Sequence, residues 1–159
     1  MIIGSGNIAR VLNDREGAIF FASGVSDSSC RDHNIFKRET SLLSSQDATK
    51  CLFYFSSINA EVKDTPYFRH KLHMEYFVHS WFPNHNIIRI GNLDWDTNPN
   101  TFLNFLRNKI AKGEPVEIKD EYRYMISKEQ LLLLTDNLPL TGQNTINAFG
   151  TMKKVKDLI

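Results

Sequence analysis

Tyr67 and Lys71 stand four residues apart in Pro66-Tyr67-Phe68-Arg69-His70-Lys71. On a helix, positions i and i+4 share a face, so a phenol and an ammonium would look into the same space. A free tyrosine titrates near pH 10, and shuttling a proton near neutrality requires its phenolate to be favoured by about 4 kcal/mol. An adjacent lysine together with a bound cation can supply that. The spacing recurs at Tyr124 and Lys128, so context has to separate the two copies. Thr65-Pro66 reads as an N-cap and a first helical residue, where proline's missing N–H does no harm. That helix follows an apolar run ending in Ser56-Ser57, which can offer a hydroxyl to the same space. Only the Tyr67 copy has this setting.

A second pattern lies at the start of the chain. Gly4-Ser5-Gly6-Asn7-Ile8-Ala9 fits G-x-G-x-x-A after the apolar Met1-Ile2-Ile3. A helix is expected over residues 7–13, with Ile8, Val11 and Leu12 on one side. There Gly4 permits a tight turn, Gly6 lets a pyrophosphate approach the backbone, and Ala9 lets helix and strand pack closely. The first N–H groups and the helix dipole then face the anion. The same turn can also serve only to pack a helix on a sheet. An acidic residue usually follows about 20 residues later to hold an adenosine ribose; here the next apolar run ends in Ala22-Ser23-Gly24.

These groups need a scaffold. Residues 18–22, 51–55 and 87–90 read as buried strands, and 116–118 and 124–126 as short ones. Helices are expected between Asp27 and Asp47, from Pro66 to about Trp81, from Thr101 to about Lys112, over 128–135, and in the Lys-rich tail containing Lys153, Lys154 and Lys156. Gly113 fits the C′ position that ends the third of these. Continuous apolar strands alternating with helices predict an α/β fold with a parallel sheet covered on both faces. The Tyr67 helix is apolar nearly all round, with Phe68, Leu72 and Tyr76 on one side and Met74, Phe77, Val78 and Trp81 on others. Such a helix is buried on both sides, one against the sheet and one against a second copy, so a homodimer is expected. His70 and His73 share a face but lack a third ligand at a suitable spacing, and no metal is expected.

Composition narrows the function. The chain has 159 residues, 42% hydrophobic and 23% charged, which fits one domain able to bury roughly 70% of its unfolded surface. Nineteen Lys and Arg against eighteen Asp and Glu leave a net charge of +1, which argues against a dedicated nucleic-acid binder. No apolar run approaches the ~20 residues that cross a bilayer, and the N-terminus does not read as a signal peptide. Cys30 and Cys51 are expected as reduced thiols of a cytoplasmic protein.

Taken in order, the glycine turn, the strand ending in small residues, the strand ending in Ser-Ser, the Y-x-x-x-K helix and Ile88-Arg89-Ile90-Gly91-Asn92 resemble the short-chain dehydrogenase/reductase superfamily. The likeness is nearest to its extended branch, the NAD-dependent sugar-nucleotide epimerases, dehydratases and reductases. Residues 102–116 are similar to that branch's helix ending in a Lys-Gly-Glu-Pro turn, and Arg123-Tyr124-Met125-Ile126 to its R-D-F-I segment. The resemblance covers most of the chain. It implies one Rossmann-like domain, with a sheet–helix core over 1–95 and a reduced substrate-side region over 96–159.

The resemblance also implies NAD or NADP held by Gly4, Gly6, Ala9, Ser23 and Lys71, and a nucleotide-sugar substrate. Tyr67 would be the general acid/base and Lys71 would lower its pKa. Ser57 would hold the sugar hydroxyl or carbonyl, with Ser56 beside it, and Arg123 would meet the diphosphate. Two departures stand out. Ile3 occupies the first glycine position of the branch's three-glycine turn. Only about ten residues separate Ala9 from Ile19, where the family places its second and third strands and their helices. A cofactor-less Rossmann-like binding or partner protein, or a non-redox lyase or isomerase that keeps the tyrosine, is the alternative.

Overall fold

The computed structural model describes residues 1–99, 101–118 and 121–159. Apolar runs too short for helices become strands wherever both faces are covered. β1 (Ile2–Ile3), β2 (Ala18–Phe21), β3 (Cys51–Ser57), β4 (His85–Ile90) and β7 (Gln143–Ala148) form one parallel sheet in the order β1-β2-β3-β4-β7. Because strand side chains alternate, each strand divides its residues between two cores. Phe20, Phe53, Phe55 and Ile88 pack with Leu12 and with Leu131 of α4 (Lys128–Asn137). Ile19, Phe21, Leu52, Tyr54 and Ile87 pack under Leu43 of α1 (His33–Ser44) and Met74 and Val78 of α2 (Pro66–Trp81). Each fully buried side chain of this kind contributes roughly 1.5–3 kcal/mol. The fold is α/β, Rossmann-like, with helices on both faces.

α2 starts where the sequence places it, with Pro66 in the first turn and the Thr65 hydroxyl accepting the Phe68 N–H. A smaller sheet holds β5 (Asn92–Leu93), β6 (Tyr122–Ile126) and β8 (Thr151–Lys154), with β5 parallel and β8 antiparallel to β6. α3 (Phe102–Ala111) packs on it through Leu103 and Leu106 against Met125 and Val155.

Three expectations are corrected. Residues 7–13 form no helix, only turns over 7–11 followed by irregular chain, because Asn7 is claimed by distant partners. Its carbonyl accepts the Trp95 indole N–H, and its amide pairs with Asp96 and Thr97. Residues 116–118 form no strand. The Lys-rich tail is not an α-helix: Lys153 and Lys154 lie in β8 opposite Arg123 and Tyr122, and a 3-10 turn follows at Val155–Asp157. Gly150 makes that return possible. Its φ is +69°, and a Cβ there would lie 2.2 Å from the Met125 carbonyl oxygen. Residues 4–17 join β1 directly to its neighbour β2, and among the described residues no strand lies outside β1.

Candidate active site

Parallel strands all end on one side, and ligands of open α/β sheets bind in the crevice beyond those carboxyl ends. A cleft of about 790 Å³ opens there. It is walled by the turn after β1, residues 22–25 after β2, Ser56 and Ser57 of β3, Tyr67 and Lys71 of α2, residues 91–93 and Arg123. Gly6, Ser23, Ser56, Ser57, Tyr67, Lys71 and Arg123, all singled out in the sequence, therefore line one cavity.

Gly4 and Ala9 do not line it. Gly4 has φ +127°, and a Cβ there would sit 2.4 Å from the Ala22 carbonyl oxygen, so its place is in the β1–β2 backbone contact. Gly6 is the opposite case, since a Cβ there would meet nothing within 4 Å. The other copy of the tyrosine–lysine spacing is dispersed. Tyr124 is exposed on β6 with its ring 4.8 Å from that of Phe149, and Lys128 opens α4.

Tyr67 and Lys71 are both buried at the cleft, with Nζ of Lys71 5.8 Å from the centre of the Tyr67 ring. The Tyr67 hydroxyl makes no hydrogen bond to the described residues. Lys71 has a partner that the sequence reading missed. The Glu39 carboxylate is wholly buried; Oε1 lies 3.6 Å from Lys71 Nζ and accepts the Tyr54 hydroxyl at 2.7 Å. Oε2 lies 3.0 Å from His70 Nε2 and accepts the Val25 N–H at 2.8 Å. The ammonium also reaches the Tyr54 hydroxyl (3.4 Å) and the Phe55 carbonyl (3.5 Å). A signal was present: Phe36, Glu39 and Leu43 fall at the spacing of one helix face, and all three are buried.

Burial pushes the Glu39 carboxyl up, but Lys71, His70, the Val25 amide and Tyr54 outweigh it and hold the group at about 2. For Tyr67 burial wins. It raises the phenol above the usual 10, Lys71 pulls the other way without prevailing, and Glu39 and Asp27 add to the rise. The lysine acts in the direction the sequence implied, yet the phenol keeps its proton through neutral pH.

The hydroxyls differ in their freedom. Among the described residues Ser57 Oγ accepts only the Asn59 N–H, at 3.2 Å. Ser56 Oγ donates to Glu75, whose carboxylate is also held by Arg89 at 2.6 Å. Arg123 lies 4.4 Å over the Phe102 ring and donates to Glu121 at 2.8 Å, while its buried Nε has no partner among the described residues. Among the described residues the lining holds Arg10, Arg38, Lys63, Lys71 and Arg123 against one carboxylate, Asp96. Arg10, Arg38 and Lys63 have no ion pair among the described residues. Arg38 instead donates to the Ser23 carbonyl at 2.8 Å. This donor set, with open space at Gly6, suits phosphate oxygens. Residues 22–24 carry no carboxylate for a ribose diol. His70 is turned to Glu39 and His73 is exposed; among the described residues no three His, Cys, Asp or Glu gather as metal ligands.

No family model and no curated protein sequence matches the chain. Solved structures do. A UDP-glucuronic acid 4-epimerase from Bacillus cereus, in complex with NAD and a fluorinated UDP-glucuronic acid, superposes with a TM-score of 0.62 at 14% identity, covering 95% of this chain and 59% of that one. A UDP-glucose 4-epimerase from Thermotoga maritima with UDP-glucose gives 0.64 at 13%, covering 89% and 58%. The dTDP-glucose 4,6-dehydratase DesIV from Streptomyces venezuelae, with NAD bound, gives 0.64 at 12%, covering 89% and 55%. At these identities the likeness shows the fold: a Rossmann-like α/β domain with its cleft at the carboxyl edge of a parallel sheet. The chain spans between half and three-fifths of the length of each of these three.

Proposed function

We propose that the protein binds NAD or NADP and a nucleotide sugar in this cleft and does acid–base chemistry on the sugar, as an oxidoreductase, epimerase or dehydratase. The observation that carries the reading is the meeting of Gly6, Ser57, Tyr67, Lys71 and Arg123 in one cationic cavity. The epimerases and dehydratase of similar fold are named with NAD or UDP-sugar ligands, which supports the same ligand class. Gly6 and Ser23 would hold the dinucleotide's phosphates, and Lys71 its nicotinamide-side ribose. When bound, the nicotinamide supplies hydride transfer to or from a sugar carbon. Ser57 would fix the sugar oxygen, and Arg123 the substrate diphosphate. Tyr67 enters protonated and gives its proton as a general acid; added positive charge at the cleft would let it take one back. α2 leaves Tyr76 and Trp81 exposed on its outer side, where a second copy would pack. Light scattering at tens of micromolar should give a dimer; a monomer removes that part.

A second reading keeps the nucleotide-sugar site without the dinucleotide. It is favoured by β1 standing at the edge of the sheet, since the strands that hold adenosine in the resembled family would lie beyond it. Calorimetric titration with NADH and with UDP-glucose separates the two. Binding of both supports the redox reading, binding of UDP-glucose alone supports the second, and binding of neither at millimolar ligand sinks both. Arg123→Gln should weaken UDP-glucose by about tenfold, the loss of one charge-assisted contact.

A further inference from the structure

We propose that Glu39 is a positioning residue of the Tyr67/Lys71 pair: its buried carboxylate holds the Lys71 ammonium at the cleft floor and so limits how much of that charge reaches the Tyr67 hydroxyl. The inference rests on reading Tyr67 and Lys71 as the working pair of the cleft. A carboxylate with no exposed surface in mid-helix persists only if it is paired and hydrogen-bonded. Glu39 is met from three directions: by Tyr54 of β3, by His70 and Lys71 of α2, and by the Val25 amide after β2. The chain closes tightly over this contact. A Cβ on Gly24 would lie 2.9 Å from both Glu39 Oε1 and Lys71 Nζ.

The ammonium is thereby committed. Glu39 Oε1, the Tyr54 hydroxyl and the Phe55 carbonyl lie within 3.4–3.6 Å of it, while the Tyr67 ring centre is 5.8 Å away. The charged groups that act on Tyr67 are Lys71 of α2, Glu39 of α1 and Asp27 of the loop after β2. With Glu39 offsetting Lys71, the cation that acts on the phenol, burial decides its proton affinity. The resting site is an acid. A ligand that draws Lys71 away from Glu39 would convert it to a base.

The phenolate's ultraviolet absorbance reports this without any ligand, so its outcome is independent of whether nucleotides bind. Tyr67→Phe identifies the Tyr67 component. Removing the carboxylate in Glu39→Gln frees the ammonium to turn toward the phenol. It should lower the Tyr67 titration midpoint by about one pH unit, or about tenfold more phenolate at a fixed pH. In a Lys71→Met background the same substitution should move the midpoint less than a third as far. An unmoved midpoint in Glu39→Gln overturns the proposal. So does an equal shift in both backgrounds, which would mean that Glu39 repels the phenolate directly. If Glu39→Gln does not fold with Lys71 left unpaired, Glu39→Asp keeps the charge but withdraws it by one methylene. It should lower the midpoint by a smaller amount, and an unchanged or raised midpoint overturns the proposal equally.

Discussion

A buried acid beside a candidate catalytic lysine ties the stability of the fold to the chemistry of the site. Glu39 is held at about 2 against the usual 4.5. A carboxyl whose folded value is depressed adds stability above its unfolded value, and that stability is lost as pH falls from there toward the folded value. The window here is 4.5 down to about 2. The full contribution is about 3 kcal/mol, of which about 2 kcal/mol is gone by about pH 3. Urea unfolding at about pH 6 and about pH 3 should show this loss in the native protein and its absence in Glu39→Gln/Lys71→Met, which removes both charges together. Equal acid sensitivity in the two proteins would show that the network does not stabilise the fold. Glu39 escaped the sequence reading because an acid on an apolar helix stripe has meaning only once its partners are known. Those partners, Tyr54 and Lys71, belong to other elements.

Elements whose cause is local were legible, and those whose cause is distant were not. β2 and β3 follow from runs buried at nearly every position, and α2 from Thr65-Pro66 and a continuous apolar pattern. The helix expected over residues 7–13 is lost to Asn7's contacts with Trp95, Asp96 and Thr97. β8 exists because Gly150 folds the tail back on β6. The first turn shows how one motif divides its work. Gly4→Ala would push a Cβ into the Ala22 carbonyl at a positive φ, and should cost at least about 2 kcal/mol in denaturant unfolding. Gly6→Ala meets open space, and should change stability by less than about 1 kcal/mol. Its new methyl would stand where phosphates approach, so calorimetry should show NADH bound about tenfold more weakly. Weaker NADH binding with intact stability marks a ligand turn. Unchanged binding would reduce the motif to packing.

At the scale of the molecule, strand order sets where the cleft lies. Four consecutive parallel strands bring Gly6, Ser23, Ser57 and Gly91 to one edge, α2 leans Tyr67 and Lys71 over it, and the small sheet closes it with Arg123. The parallel architecture and most of this gathering were readable from motif order, because each motif follows its strand. The cationic excess was not readable: a chain of net charge +1 gives no hint that Arg10, Arg38 and Lys63 share one rim. Amide chemical-shift mapping during titration with UDP-glucose tests this arrangement most directly. Shifts should concentrate at Ser57, Tyr67, Gly91 and Arg123 and shrink as salt screens the rim charges. Shifts confined to the opposite edge of the sheet, or none at millimolar ligand, would contradict a nucleotide-sugar site in this cleft.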